Sequence, residues 1–351
     1  MPAHVMELPR RVVVGDDVAK DVGRILGELE LGKQTLVLSG PHVKSIIGED
    51  LVKSLNLAGF SCKWDLVGAS SFQEVERVSR LAATVHAGFL IGVGGGKSID
   101  IAKLASFNSS KIPFVSIPTS ASHDGISSPF ASVKGLDRPY SIVAKPPIAI
   151  IADTKLIARA PKQLITSGCG DLISKKTAIR DWELSHIKTG EYYGRYSASL
   201  ALLSANLIME DADLISTRNL ESVRVVVEAL ISSGVAAGIA GSSRPCSGSE
   251  HLFSHAMDIV APGKGMHGEK CGIGTIMMAK LHGIDHMEVK NALKMIGSPT
   301  SAEEIGATDD EIIKSLLLAR EIRKERYTIL EEAQLTESSA RDLARGVGVI
   351  S

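Results

Sequence analysis

Residues 87–107 read AGFLIGVGGGKSIDIAKLASF. The first part, 87–93, is short and strongly apolar, the pattern of a buried strand, and 98–107 returns to helical spacing. Gly94, Gly95 and Gly96 lie between them. Strand, glycine turn and helix make one step of an α/β fold. Glycine lets the backbone approach a ligand, and the free N–H groups of a helix N-terminus attract phosphate. Two familiar phosphate templates fail. A P-loop would need glycine at Ile91, and the GxGxxG fingerprint would need it at Lys97. Gly94, Gly95, Gly96, Lys97, Ser98, Ile99 and Asp100 are therefore either a phosphate cradle of another kind or a turn without a ligand.

The same alternation recurs on both sides. Strand-like runs at 11–14, 35–38, 60–67, 113–117 and 148–152 are interleaved with helical patterns at 17–31, 43–58 and 72–85. This predicts a parallel sheet with helices on both faces, which binds ligands beyond the carboxyl ends of its strands. After residue 152 the character changes. The segment 161–170 reads as turn-rich, and helical patterns follow from 171–184 to 338–347. The expectation is an α/β, Rossmann-like domain over 1–165 and an all-α domain over 166–351.

Bulk properties narrow the function. A chain of 351 residues with net charge −1 offers no basic surface for nucleic acid, and 4% aromatics are too few for base stacking. No apolar run reaches the roughly 18 residues that span a bilayer. The start, MPAHVMELPRRVVVG, lacks the apolar core of a signal peptide. A cytoplasmic protein with no nucleic-acid partner and no membrane insertion is expected. Cys62, Cys169, Cys246 and Cys271 are scattered without a CxxC, which predicts reduced, buried small residues.

Three further stretches carry polar chemistry. Residues 117–129, IPTSASHDGISSP, follow a strand and so share the sheet edge with the glycines. Small hydroxyl residues there offer donors to phosphate, ribose or carboxamide, and Asp124 could hold a substrate hydroxyl or an amide; the alternative is a helix cap and turn. Residues 248–269 read GSEHLFSHAMDIVAPGKGMHGE. His251 and His255 are four apart and share one helix face. His267 follows a loop of Pro262, Gly263 and Gly265, so three of the ten histidines fall within 17 residues. Neutral imidazole suits zinc, nickel or iron, the alternative being ordinary core or surface histidines. The spacing is not that of HExxH. Asp171, in GCGDLISK at 168–175, is either a helix cap or a further ligand. As a ligand it would complete an Asp-His-His set with open positions for water and substrate.

Together and in this order, these stretches resemble the iron-dependent alcohol dehydrogenase and dehydroquinate synthase superfamily. The shared features are the GGGxxxD turn ending at Asp100, the PTxxS loop starting at Pro118, and the Asp-plus-His set. The narrower resemblance is to the archaeal sn-glycerol-1-phosphate dehydrogenase family. It is carried by PTSASHDGISSPFASV, GCGDLISK, GSEHLFSHAMD and MHGE, and it covers nearly the whole chain. The resemblance implies one zinc ion per chain on Asp171, His251 and His267. It places Asp124, Asp171 and His255 at the substrate, with Asp124 and His255 in catalysis. It assigns NAD(H) or NADP(H) to Gly94 through Asp100 and to Thr119, Ser120, Ala121, Ser122 and Ser128. The reaction implied is reversible reduction of dihydroxyacetone phosphate to sn-glycerol 1-phosphate, the glycerol backbone of archaeal membrane lipids. Zinc would polarise the ketone and nicotinamide would supply hydride. The alkoxide would take its proton from a water relay, His255 or His123.

NAD-specific folds place a carboxylate after the second strand to hold the ribose. Here that turn is Ser39-Gly40-Pro41-His42, with Lys44 nearby, so NADP should be tolerated as well as NAD. The alternative function is a glycerol dehydrogenase of the same superfamily, acting on the unphosphorylated polyol. A dehydroquinate-synthase-like lyase would need many basic residues for its polyanionic substrate. A catalytically dead nucleotide-binding protein would not need all three metal residues. A homodimer is the expectation from symmetry.

Overall fold

Phe89–Gly94 is buried along its whole length and pairs in parallel on both sides, with Gln34–Ser39 and with Phe114–Pro118. It is the fourth strand of a computed structural model that describes residues 4–133 and 141–351. The strands are β1 (Arg11–Gly15), β2 (Gln34–Ser39), β3 (Ser61–Leu66), β4 (Phe89–Gly94), β5 (Phe114–Pro118), β6 (Phe130–Ser132), β7 (Ser141–Val143) and β8 (Ala149–Asp153). Six of them form one parallel sheet in the order β1-β8-β5-β4-β2-β3, while β6 and β7 form a small antiparallel ribbon that the sequence pattern did not suggest. From β2 the chain runs outward to β3, and from β4 it runs the other way to β5. The order therefore reverses between β2 and β4, and the crevice at such a reversal is the ligand site of open α/β sheets. Gly40, after β2, and Gly95, after β4, both lie there.

The core of this sheet is aliphatic and aromatic. Val37, Ile91, Val93, Val115, Ile117 and Ile151 pack with Leu51 and Leu55 of the helix Pro41–Leu57. Burying each such side chain contributes about 1.5–3 kcal/mol. One expected helix is broken. Residues 17–31 hold a 3-10 turn, Val18–Asp21, and a six-residue helix, Val22–Gly27. Glycine favours neither continuation nor rigidity in a helix, and Glu30 beyond it takes a left-handed backbone at φ 53°.

The chain divides into two units, Met1–Ala160 and Pro161–Ser351. Among the described residues the second unit holds helices and no strand. The segment read as turn-rich is the opposite: Lys162–Ile173 is one helix, with Pro161 just ahead of its first residue. Its small residues are helix-crossing residues. A Cβ at Gly170 would lie 2.2 Å from the Gly268 carbonyl oxygen, and one at Gly268 would lie 1.7 Å from the Ser167 carbonyl oxygen. Only glycine on both sides lets the helices Lys162–Ile173 and His267–Leu281 approach this closely. Asp171 consequently sits in the last turn of its helix, not at a cap, and His267 opens a helix instead of ending a loop.

The longest helix, Leu220–Ala240, is long and apolar enough to cross a bilayer by length and composition, contrary to the reading of the bare sequence. Two thirds of its most apolar window is buried in the protein (67%). Ala236 and Ala240 on this helix pack with Trp182, Ala198 and Ala201.

Candidate metal centre and glycine turn

Three helices of the second unit bring four donors together. Asp171 comes from Lys162–Ile173, His251 from the first turn of Ser249–Val260, and His267 and Cys271 from successive turns of His267–Leu281. Their ligand atoms all lie within 4.8 Å of one another. His251 Nε2 is 3.4 Å from Asp171 Oδ1, and His267 Nε2 is 3.7 Å from Cys271 Sγ. Bonds of about 2.0–2.3 Å to a tetrahedral zinc imply ligand–ligand edges of roughly 3.3–3.8 Å. The donor set fits a divalent metal ion of that size.

Neighbours outside the set fix its orientation. Glu250 Oε1 lies 2.8 Å from His251 Nδ1, and the same carboxylate accepts from Gly248 N at 2.6 Å and Thr177 Oγ1 at 2.7 Å. His251 therefore keeps its proton on Nδ1 and turns Nε2 toward the other donors, the arrangement that orients metal-binding histidines generally. Ser254 Oγ is 3.4 Å from His267 Nδ1. Lys175 Nζ donates to Asp171 Oδ1 at 2.8 Å, and neither residue meets solvent. Burial alone would raise the Asp171 pKa, but the Lys175 ammonium and His251 hold it well below the usual carboxylate range. Burial would likewise disfavour a charged His251, yet Cys271, Asp171 and Glu250 raise its pKa well above that of free imidazole. The negative groups around His251 would equally stabilise a metal cation at its Nε2.

His255 is outside the four converging donors. Its ring centroid is 6.0 Å from that of His267, and its Nδ1 is 3.9 Å from Asp258 Oδ2. Burial lowers its pKa and leaves it neutral. Asp258 is also paired with Lys270. Burial pushes the Asp258 pKa up, but His255 and Lys270 overcome this and hold it at about 2.

The glycine turn is built from backbone. Gly94 has φ 140°, a conformation that side chains rarely adopt. Gly95 caps the helix Gly96–Asn108, and Thr119 N returns to Gly94 O at 3.0 Å, tying the hydroxyl loop to the turn. A Cβ at Gly95 would lie 3.2 Å from Ser120 Oγ, a buried hydroxyl with no hydrogen-bond partner. An unsatisfied buried hydroxyl costs free energy unless something supplies its partner. Together with the open helix N-terminus it fits a phosphate-bearing cofactor.

Around the turn the expected residues divide. Ile99 and Ala121 are fully buried side chains, so only their backbones are available. Asp100 faces the protein, accepting from Ser132 N at 3.1 Å and Lys103 Nζ at 3.3 Å. Lys97 donates to Gly68 O at 2.9 Å, and Ser98 is buried behind Gly94. Asp124 opens the 3-10 turn Asp124–Ile126, and its carbonyl accepts from Ser127 N and Ser128 N. Ser122 is partly exposed, and Ser128 donates to Phe130 O at 3.3 Å. His123 packs against Gly96 and accepts from Gly125 N at 2.9 Å through Nδ1, so it belongs to the turn. Lys44 lies over the Trp64 ring, 6.0 Å from its centroid.

The sequence missed four residues. Lys103 is fully buried and clamps the hydroxyl loop, donating to Gly125 O at 2.8 Å and to Phe130 O. Its only signal was a cation inside the apolar run 101–105. Glu250 adjoins His251, Lys175 is four after Asp171, and Cys271 is four after His267. The spacing that singled out His251 and His255 applies equally to the last two. Cys62 is also only partly buried, unlike the other cysteines.

Comparison with known proteins identifies the chain's relatives. Residues 13–161 match a family model described as iron-containing alcohol dehydrogenase. A glycerol-1-phosphate dehydrogenase [NAD(P)+] of Nitrosopumilus maritimus is 49% identical over 350 residues, covering 100% of this chain and 98% of the relative. The crystal structure of glycerol dehydrogenase from Schizosaccharomyces pombe superimposes with TM-score 0.81 at 22% identity, covering 99% of this chain and 91% of that one. Sulfoacetaldehyde reductase from Bifidobacterium kashiwanohense, solved with NAD+, superimposes with TM-score 0.75 at 17% identity, covering 100% of both chains. At these identities the two structures show the fold alone.

Proposed function

Because the chain belongs to the glycerol-1-phosphate dehydrogenase family of oxidoreductases, we propose that it reversibly reduces dihydroxyacetone phosphate to sn-glycerol 1-phosphate. NADH or NADPH is the reductant, bound by the α/β domain, and one zinc ion is held by Asp171, His251 and His267 in the helical domain. The product supplies the glycerophosphate backbone of archaeal membrane lipids, and the enzyme works in the cytoplasm as a homodimer. The observation that carries the reading is a full-length likeness of 49% to a relative of that name. The unphosphorylated alternative, a glycerol dehydrogenase, is supported by likeness of fold only, at 22% identity.

Zinc at that set supplies Lewis-acid polarisation of the ketone, and the reduced nicotinamide supplies the hydride. The chain's own residues prepare both. Lys175 keeps Asp171 ionised, and Glu250 fixes the His251 tautomer. The Gly95 backbone leaves room for a pyrophosphate beside Ser120, and the Ser120 hydroxyl gains the partner it lacks. His255, neutral and joined to Asp258, is in the form that accepts a proton during alcohol oxidation. Asp124 holds a substrate hydroxyl.

The experiment is a substrate panel with zinc-loaded protein, following nicotinamide absorbance. Dihydroxyacetone phosphate should exceed dihydroxyacetone in kcat/KM by more than about tenfold, since charge-assisted phosphate contacts exceed about 1.4 kcal/mol. Equal turnover of the two would overturn the phosphate assignment. The product should resist an sn-glycerol-3-phosphate-specific oxidising enzyme, and ready oxidation by it would overturn the stereochemistry.

A further inference from the structure

We infer that the Cys271 thiolate is a fourth ligand to the metal ion in the substrate-free protein, giving an Asp-His-His-Cys set that favours zinc over iron. The inference rests on the metal site proposed above and adds a residue to it.

Geometry is the first support. Cys271 follows His267 by one helical turn, so the two side chains share a face. Its sulfur is 3.7 Å from His267 Nε2 and within 4.8 Å of the other donor atoms. The 3.7 Å separation from His267 is the length of a tetrahedral edge. Cys271 is fully buried, so no solvent competes for the position.

Charge is the second support. Among the groups that touch the donors, Asp171 and Glu250 are negative and Lys175 is positive. A divalent ion added to these leaves one uncompensated positive charge among groups that are mostly buried, with only His267 partly exposed. A thiolate brings the count to zero, and buried charge is tolerable only when paired. Metal binding itself drives the thiol to its ionised form.

The arrangement also separates Cys271 from its three companions. Asp171 is anchored by Lys175, His251 by Glu250 and His267 by Ser254. The contacts of the Cys271 sulfur among the described residues are with His267 and His251, inside the set. It is therefore a ligand by position without the fixed orientation of the others. Thiolate is the soft donor here, and soft donors select zinc against hard-site metals.

The test loads metal-free protein with one equivalent of Co2+, in the wild type and in Cys271→Ser and Cys271→Ala. Wild type should bind one cobalt per chain and show a near-ultraviolet sulfur-to-cobalt charge-transfer band. Both variants should still bind cobalt through the remaining three residues but lose that band. Their zinc Kd should rise at least about tenfold, and their zinc-to-iron preference should fall. A wild-type cobalt protein without the sulfur band overturns the Cys271 assignment and leaves the Asp-His-His site standing. A band that survives in Cys271→Ser overturns it too, since the sulfur is then another cysteine. Failure of wild type to bind cobalt or zinc at all overturns the metal site itself.

Discussion

At the glycine turn, three consecutive residues, Gly94 to Gly96, present backbone, and what matters is the absence of side chains. At the metal cluster, four side chains converge from three helices across residues 171–271, and what matters is their presence. The first site is encoded locally, by a strand end and a helix start. The second is encoded by packing, because Asp171 meets His267 only where Gly170 and Gly268 let two helices touch. The turn should therefore fail by addition of atoms and the cluster by removal, and each should fail without the other.

Removal at the cluster has the largest expected effect. His267→Ala, which removes an anchored ligand, should weaken metal binding far more than Cys271→Ser, leaving the dialysed protein with well under one metal per chain. It should lower activity by about a thousandfold, the loss of roughly 4 kcal/mol of charge stabilisation. The urea midpoint of the metal-free protein should hardly move. His255→Ala should keep its metal and lose about a hundredfold in kcat. Equal metal loss in both variants, measured by elemental analysis, would return His255 to the ligands and erase the distinction drawn here.

One position sharpens the contrast because there addition should damage the cluster. Gly268→Ala places a methyl 1.7 Å from the Ser167 carbonyl oxygen, a backbone atom that cannot swing away. The helices must separate, at a cost of about 3 kcal/mol. The urea midpoint should fall accordingly, and metal affinity should fall with it as Asp171 and His267 part. A variant as stable as wild type would mean that the crossing does not set the cluster.

Addition at the turn comes next. Gly95→Val puts a branched side chain where the pyrophosphate is proposed to lie, 3.2 Å from Ser120 Oγ. The NADH Kd should rise about thirtyfold, equivalent to about 2 kcal/mol, with metal content unchanged. Unaltered NADH binding in a fluorescence titration would remove the cofactor from this turn.

The same contrast explains what could be read in advance. The parallel sheet was legible because strands buried on both faces are apolar throughout, as Phe89–Gly94 is. The donors Asp171, His251 and His267 stood out by residue type and motif. Their meeting did not, since no spacing links position 171 to position 251. The helix Lys162–Ile173 was misread because Thr166, Ser167, Gly168 and Gly170 are turn formers by composition, and only the partner helix makes them packing residues. Cys271 was passed over because four lone cysteines suggest small core residues, and its value lies in what surrounds it. Lys103 was passed over for the same reason: a buried cation is recognisable only with the carbonyls of Gly125 and Phe130 in place.

The smallest effect tests the other lip of the sheet crevice, at Gly40. This residue follows β2 and caps the helix Pro41–Leu57 at φ −73° and ψ 160°, which any residue can adopt. Nothing lies within 4 Å of the position its Cβ would take. Gly40→Asp should therefore fold normally, and aspartate is a favoured helix cap. If the adenosine ribose lies beside this cap, a carboxylate there accepts from the 2′-hydroxyl of NADH and repels the 2′-phosphate of NADPH. Two charges of phosphate at about 6 Å in water cost on the order of 1 kcal/mol, so the NADPH/NADH ratio of kcat/KM should fall about tenfold at low salt. The shift should shrink as ionic strength rises, because exposed charges are screened. Gly40→Asn, with the same shape and no charge, should leave the ratio near its original value. A ratio unchanged in Gly40→Asp would place the ribose away from β2, and a shift shared by Gly40→Asn would assign the effect to bulk instead of charge.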